Sequence, residues 1–416
     1  MNEKQHIPAG YKLSPLGPIP EDWEVKRLGE IGDFSKGNGV PKDKIIKDEH
    51  GHPCLTYGDL YTKYDFVIKD IKSFIDNDVA SESKEIHIGD ICFAGSGETP
   101  EDIGKCAAYI EERTAFAGGD IIILSPNKGI NSIWLSYVLN SDIGGKQRYK
   151  SAQGFSIVHI YPDNLKRIQI PTPTLKEQRR IVSVLSLWDT AIAKQTALIE
   201  KLTLRKRGLM QQLLTGKKRL KGFEGEWEKI KFKEIFQRKT QTVNDSSNIQ
   251  VLSVTKEGIV PQKEYFNKEI ASDDTSKYLL VEKGDLAMSG LNFWMGSCHI
   301  LTQYKKGIIS PAYKVFSIRD GFSIEYIVNF VQSYHFKSSL LGSSVIGASI
   351  VRRNLDLEML EEWTYSLPSL PEQKAISDIL TYADKEIEIQ KQKLAAMQAQ
   401  KKGLMQVLLT GKRRIL

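Results

Sequence analysis

Leu175-Lys176-Glu177-Gln178-Arg179-Arg180-Ile181 opens a stretch that closes on Gly208-Leu209-Met210-Gln211 and then Leu213-Leu214-Thr215-Gly216-Lys217. The chain repeats it. Leu370-Pro371-Glu372-Gln373-Lys374-Ala375-Ile376 runs on to Gly403-Leu404-Met405-Gln406 and Leu408-Leu409-Thr410-Gly411-Lys412. A constant offset of 195 holds without a gap from Leu175/Leu370 to Leu220/Ile415, and 19 of the 46 pairs are identical. Chance gives roughly one in fifteen, so this is an internal repeat.

Each copy reads as one long helix. Thr174 with Glu177, and Ser369 with Glu372, have the spacing of a capping box, a hydroxyl followed three residues later by Glu. Pro371 falls in the first turn, where a missing N–H costs nothing. Gly216 and Gly411 stand where a left-handed residue ends a helix. Roughly 40 residues lie between these marks, or about 60 Å of helix.

The apolar seam alternates spacings of four and three. It runs Ile181, Leu185, Trp188, Ile192, Gln195, Ile199, Leu202, Lys206, Leu209, Leu213 in the first copy. In the second it runs Ile376, Leu380, Ala383, Ile387, Gln390, Leu394, Met397, Lys401, Leu404, Leu408. A seam this long and narrow fits a coiled coil better than a globular surface helix. Both copies place Gln and Lys at the same two seam positions. They either fix register or snorkel at the edge of a bundle. The chain must return between the two helices, which favours an antiparallel pair.

At 416 residues the chain has room for two or three domains. Hydrophobic content of 41% and charged content of 26% are ordinary for a soluble globular protein. No run of apolar residues is long enough to span a membrane, and the N-terminus has no secretory signal. Cys54, Cys92, Cys106 and Cys298 lack paired spacing, which suits free thiols in a reducing cytoplasm. A net charge of +7 permits a polyanionic partner without demanding one.

The repeat extends beyond the helices. Residues 1–18 read as a polar arm. At Ile19 a unit opens whose Trp23-Glu24 and Glu30-Ile31 match Trp227-Glu228 and Glu234-Ile235. The expected organisation is a first body over 19–173, a first helix over 174–222, a second body over 223–368 and a second helix over 369–416. Within the bodies, Cys54 to Tyr57, Ile88 to Phe93, Gly119 to Leu124, Val251 to Thr255, Leu286 to Met288 and Tyr313 to Ile318 read as strands. Ile133 to Leu139 reads as a short amphipathic helix, and Ile324 to Val331 as another helix. Two landmarks recur: Gly89-Asp90-Ile91 with Gly284-Asp285-Leu286, and Gly154-Phe155-Ser156-Ile157-Val158 with Gly347-Ala348-Ser349-Ile350-Val351. Otherwise the bodies differ freely, as they must if one scaffold reads two different things. The fold class is therefore α+β: two similar α/β bodies separated by an antiparallel coiled coil, with circular pseudo-two-fold symmetry. That symmetry places the C-terminus close to Ile19.

A Pro-rich collar, Pro171-Thr172-Pro173 and Pro368 with Pro371, forces extended backbone before each helix. Basic clusters follow each helix, Lys217-Lys218-Arg219-Lys221 and Lys412-Arg413-Arg414. They read first as complements to the helix dipole, and second as phosphate contacts.

Catalytic motifs are missing. Phe93-Ala94-Gly95-Ser96-Gly97 matches the F-x-G-x-G loop of many methyltransferases, but no Asn/Asp-Pro-Pro-aromatic motif accompanies it, and it reads as a tight turn. There is no phosphate-binding loop of the G-x-x-x-x-G-K-[ST] type. Asp76 or Asp78 with Glu82-Ser83-Lys84 imitates a nuclease triad loosely, in surroundings that suit a solvated loop. His50, His52 and Cys54 lack a fourth ligand at zinc spacing. No metal is expected, and no catalytic residue.

The doubled L-x-E-Q…G-L-M-Q-x-L-L-T-G-K stretch, the W-E…E-I openings and the Gly-Asp turns together resemble the specificity subunit of a type I restriction-modification enzyme. The resemblance covers the chain from about Ile19. It implies two target-recognition domains that each read one half of a bipartite site in double-stranded DNA. It also implies that the helices set the spacing and dock two methyltransferase subunits and restriction subunits. S-adenosylmethionine, ATP and Mg would belong to those partners, this chain binding no cofactor and catalysing nothing. Base contacts do not transfer by motif, so loop residues with amide, hydroxyl or basic side chains are the candidates. They are Ser96, Lys150, Ser151, Gln153 and Ser156 in the first body. In the second they are Asn292, Ser343, Ser344, Ser349, Arg352 and Arg353. The rival readings are a coiled-coil protein scaffold without DNA recognition, and a methyltransferase or nuclease fused to its own reader.

Overall fold

The computed structural model describes residues 7–154, 157–243, 249–266, 275–349 and 352–415. Two compact units emerge, residues 1–195 with 393–416, and residues 196–392. The division falls inside both long helices rather than at their ends. Each unit therefore owns the front of one helix and the rear of the other.

The first unit is built on a five-stranded sheet in the order Gly32–Lys36, Ile121–Pro126, Ile91–Ala94, Cys106–Tyr109, Val67–Ile68. Its first three pairings are antiparallel and the last is parallel. The second unit repeats the antiparallel part with Phe236–Lys239, Lys314–Ile318, Leu286–Met288 and Cys298–Ile300. Ile91, Phe93, Ile122 and Leu124 point into one core and Leu286, Met288 and Phe316 into the other.

The Gly-Asp landmark now has a physical cause. Asp90 accepts from the His87 amide at 2.8 Å and from the Ser125 hydroxyl at 2.7 Å. Asp285 accepts from the Glu282 amide at 2.8 Å and from Lys239 at 2.7 Å. The carboxylate closes the turn that feeds the central strand in both units, so it repeats while its surroundings change. Burial opposes ionisation of Asp285 and raises its pKa, with the Lys239 hydrogen bond working against that rise.

Several sequence expectations shift. Ser132–Asn140 is a helix, but it is buried on nearly every side rather than amphipathic, with Trp134, Leu135, Tyr137, Val138 and Leu139 all inside. The strand expected over Cys54 to Tyr57 is His52–Leu55, because Thr56 caps a helix that starts at Tyr57. The strand placed over Ile88 to Phe93 is Ile91–Ala94, since the Asp90 turn occupies its first residues. The polar arm contains a hairpin in which Tyr11–Ser14 pairs with Gly17–Pro20, and Tyr11 donates its hydroxyl hydrogen to the Gly411 carbonyl at 2.7 Å. Of the collar prolines only Pro171 belongs to a strand, Gln169–Thr172, which pairs with Glu24–Arg27; in the second unit Thr364–Leu367, which pairs with Glu228–Lys231, ends just before Pro368. This explains why W-E recurs in step with the helices.

The long helices run Leu175–Leu213 and Leu370–Leu408, 39 residues each. Their seam positions are all buried or half-buried. At the outer ends the seam faces a body core as well: Ile181, Leu185 and Leu408 join the first core, and Leu213, Ile376 and Leu380 the second.

The seam lysines meet acids that the seam pattern did not reveal. In the first unit Lys401 pairs with Asp189, and in the second Lys206 pairs with Asp384 at 2.6 Å. Both unit interiors thus hold helix segments running in opposite directions, front against rear. Lys401 is further enclosed by Phe66, 3.9 Å from its ring centroid, and by Tyr137, whose hydroxyl also donates to Asp189. Lys206 is the less enclosed of the two, its side chain 20% exposed against 8% for Lys401.

The capping boxes are only half right. The Glu177 amide donates to the Thr174 hydroxyl at 3.4 Å, but the Glu177 carboxylate reaches elsewhere. It accepts from Trp23 Nε1 at 3.0 Å and from Arg414 at 2.7 and 2.8 Å. In the second unit Glu372 accepts from Trp227 Nε1 at 3.3 Å and from Arg219 at 2.7 and 2.8 Å. Gln178 and Gln373 complete the clasp. Each donates to the carbonyl of Pro173 or Pro368 at 2.9 Å and accepts from the amide of Asn131 or Ser323. The basic clusters therefore supply a clasp arginine, Arg219 or Arg414, which neither of the two expected roles described.

Gly411 ends the second helix at φ +71°, and a Cβ there would lie 2.5 Å from the Pro20 ring. Gly216 ends the first helix at φ +69°, where a Cβ would meet the Trp227 ring at an ordinary 3.5 Å. The left-handed backbone favours glycine at both positions, and the close packing requires it at Gly411. Arg414 also bonds Asp22 at 2.8 Å, so the segment after the second helix lies against Pro20–Trp23.

Candidate nucleic-acid interface

In the first unit the loop after the central strand meets the segment that follows the helix Asp142–Lys150. Ser96–Gly97 pairs with Val158–His159, and the Ser96 hydroxyl is 2.9 Å from His159 Nδ1. Gln153 exchanges backbone hydrogen bonds with His159 at 3.0 and 2.8 Å. The His159 ring lies nearly parallel to Tyr161, with centroids 6.5 Å apart. Ser96, Gln153 and His159 thus form one constellation, edged by the exposed Tyr149, Ile157 and Tyr161.

The candidates differ in what they can reach. Ser96 is buried, so its hydroxyl holds His159 rather than facing outward. Lys150 and Gln153 are exposed, while Ser151 bonds back to the Gln147 carbonyl at 3.0 Å and closes the helix. Ser156 lies outside the described residues. The F-x-G-x-G glycines serve packing: the Gly95 amide donates to the Asp120 carbonyl at 2.7 Å, and Gly97 lies beside the Tyr61 hydroxyl.

The second unit arranges the same two segments differently. Ser344–Ser349 and Arg352–Leu355 form a two-stranded ribbon in which Ser349 and Arg352 are ladder partners. Arg353 donates from Nη1 to the Ser344 hydroxyl at 3.1 Å, and its guanidinium lies 5.1 Å from the Trp294 ring centroid. Asn292 is exposed just before Trp294, its amide held by the Ser289 hydroxyl at 3.1 Å. Ser343 is fully buried. Sequence reasoning missed His159, Tyr161 and Trp294, because an aromatic residue beside polar ones reads as core.

Nearby, His299 is enclosed between Gln332, 3.1 Å from Nδ1, and the Lys256 carbonyl, 3.2 Å from Nε2. Burial pulls its pKa below the ordinary histidine value, and the Lys337 charge adds to this. The unfolded chain therefore binds a proton below about pH 6.5 that the folded chain resists, and stability is lost as pH falls through that range. Thermal unfolding followed from pH 7.5 to 5 should show this slope, and His299→Gln should flatten it. An unchanged slope in the variant would contradict the assignment.

The rejected motifs stay without a site. Asp76 caps a helix by accepting from the Val79 amide, and His52 bonds Asn77 at 2.8 Å. Burial pushes the Cys54 and Cys106 thiols up to about 12, away from reactive thiolate. Among the described residues no helix is long and apolar enough to cross a membrane.

Comparison with known proteins joins these observations. Residues 20–204 and 224–399 match the type I restriction modification DNA specificity domain. The chain is 29% identical over 445 residues to a putative type I restriction enzyme MjaX specificity subunit of Methanocaldococcus jannaschii, with 97% of each covered. It is 22% identical over 398 residues to the EcoKI specificity subunit of Escherichia coli K12, covering 88% of this chain and 84% of that one. A solved chain from work on assembly and conformational transition of the type I R-M system superposes with a TM-score of 0.60 at 16% identity. It covers 95% of this chain and 99% of that one. The S subunit from M. genitalium gives 0.50 at 16% identity, over 93% and 96%. Both share the mixed α/β fold.

Proposed function

Because the chain belongs to the type I restriction-modification DNA specificity family, we propose that it is the DNA-reading subunit of such a system, with one target-recognition surface on each unit. The observation that carries the reading is the contrast between scaffold and loops. The clasp, the seam pair and the Gly-Asp turn recur residue for residue, whereas the loops around His159 and Arg353 differ in both residues and backbone. A scaffold held constant beneath two different surfaces suits recognition of two different half-sequences. The front-to-rear helix segments of each unit support an antiparallel coiled coil as the spacer, and the C-terminal segment against Pro20–Trp23 supports circular pseudo-symmetry.

In this reading the partners are double-stranded DNA, two methyltransferase subunits and restriction subunits. The chain is not itself an enzyme. S-adenosylmethionine, ATP and Mg act on the partners. Leu187 and Tyr382, equivalent positions of the two helices, are 71% and 72% exposed and give each unit an apolar handhold for a methyltransferase.

The purified full chain is expected to bind duplex DNA with an affinity that falls steeply with salt, as phosphate neutralisation requires. A chain that binds a methyltransferase subunit while neither it nor the complex binds duplex would favour the scaffold reading instead.

A further inference from the structure

Arg353 is a cation with an unusual setting. It is half-buried, its guanidinium is packed on Trp294, and Nη1 is committed to the Ser344 hydroxyl. No carboxylate pairs with it among the described residues. Its Nε is buried without a partner, as are Trp294 Nε1 and Ser343 Oγ. A partly desolvated charge without a counter-ion is unfavourable for a purely structural residue. The scaffold does not require it either. The corresponding stretch of the first unit carries His159, which meets Ser96 and Tyr161.

The geometry also limits what Arg353 can recognise. Reading guanine takes two donors of the guanidinium fork, aimed together at O6 and N7. Here Nε is enclosed and one Nη1 hydrogen is engaged, so the side-on Nε–Nη2 approach is closed and the Nη1–Nη2 end is left to face a ligand. One oriented, uncompensated edge suits an oxygen of a phosphate. Resting on the DNA-reading function above, we infer that Arg353, oriented by Trp294 and Ser344, is a phosphate anchor of the second unit that positions the duplex without reading a base.

The test uses the full chain and a fluorescent duplex of random sequence, titrated by anisotropy over a salt series, with selection from randomised duplexes in parallel. Arg353→Met is expected to weaken binding about eightfold at 0.1 M salt and to lower the salt slope by about one, while selection returns the wild-type motif. Arg353→Lys is expected to restore most of the affinity, because a phosphate accepts a point charge where a base edge requires the fork. Thermal melts of both variants confirm the fold, and Trp294→Leu should weaken binding in the same sequence-independent way. A changed or relaxed preference at one base position would overturn the anchor and make Arg353 a reader. Equal binding by wild type and Arg353→Met would also overturn it. A wild-type chain that binds no duplex would remove the DNA-reading function itself, and the anchor with it.

Discussion

Replacing Glu177 with alanine is expected to destabilise the first unit by about 2–3 kcal/mol, the cost of stranding its partners. The carboxylate is 4% exposed and holds Trp23 Nε1 and the Arg414 guanidinium together. Its loss leaves an indole N–H inside the core without an acceptor. Arg414 keeps Asp22, which is why the loss stays below that of a wholly orphaned buried charge. Urea unfolding followed by tryptophan fluorescence measures it, with the exposed Glu200→Ala as a control near zero. A Glu177→Ala midpoint equal to the control's would show that the clasp does not hold the unit together. Glu372→Ala should act in the same direction on the second unit.

Lengthening the spacer should move the half-sites apart without altering either. Lys401–Asp189 and Lys206–Asp384 each fix helix register inside one unit, so an insertion must enter both helices, after Gln195 and after Gln392. One heptad adds about 10 Å of helix and keeps the seam in phase. The gap in the recognised DNA is expected to grow by up to about three base pairs, less whatever the duplex absorbs by bending or twisting. Methylation mapping with the lengthened chain reads this out. An altered half-sequence beside an unchanged gap would refute the spacer role.

The long helices were legible because their signals are local. The hydroxyl before Glu177, Pro371 and the two terminal glycines all lie within a few residues of the ends they mark. The clasp was not legible for the opposite reason. Glu177 reaches Trp23 and Arg414, which are 154 and 237 positions away, and a Glu three residues after a hydroxyl looks the same whether it turns back or reaches across. Asp189 and Asp384 lay off the apolar seam, so the pattern gave the lysines no partners. Gly-Asp was visible as a repeat, but its cause needed Ser125 and Lys239 on other strands of the two sheets.

The candidate interface was legible as segments and not as side chains. The loops nominated around Ser96 and Gln153, and around Asn292 and Arg353, do come together within their own units. Ser96 and Ser343 were chosen for polarity, yet both are buried, and a small hydroxyl gives no sequence sign of burial. Trp294 was passed over because a tryptophan usually belongs to a core, whereas here its ring face carries Arg353.

The central claim is that two different surfaces on one repeated scaffold read two different half-sequences at a fixed separation. Co-expressing the chain with a methyltransferase subunit encoded beside it, and mapping methylated adenines across the host genome, tests that most directly. The account predicts a bipartite motif with unlike halves and a constant gap of unspecified bases, with one methylated adenine in each half. A single continuous motif, or a palindrome, would contradict it.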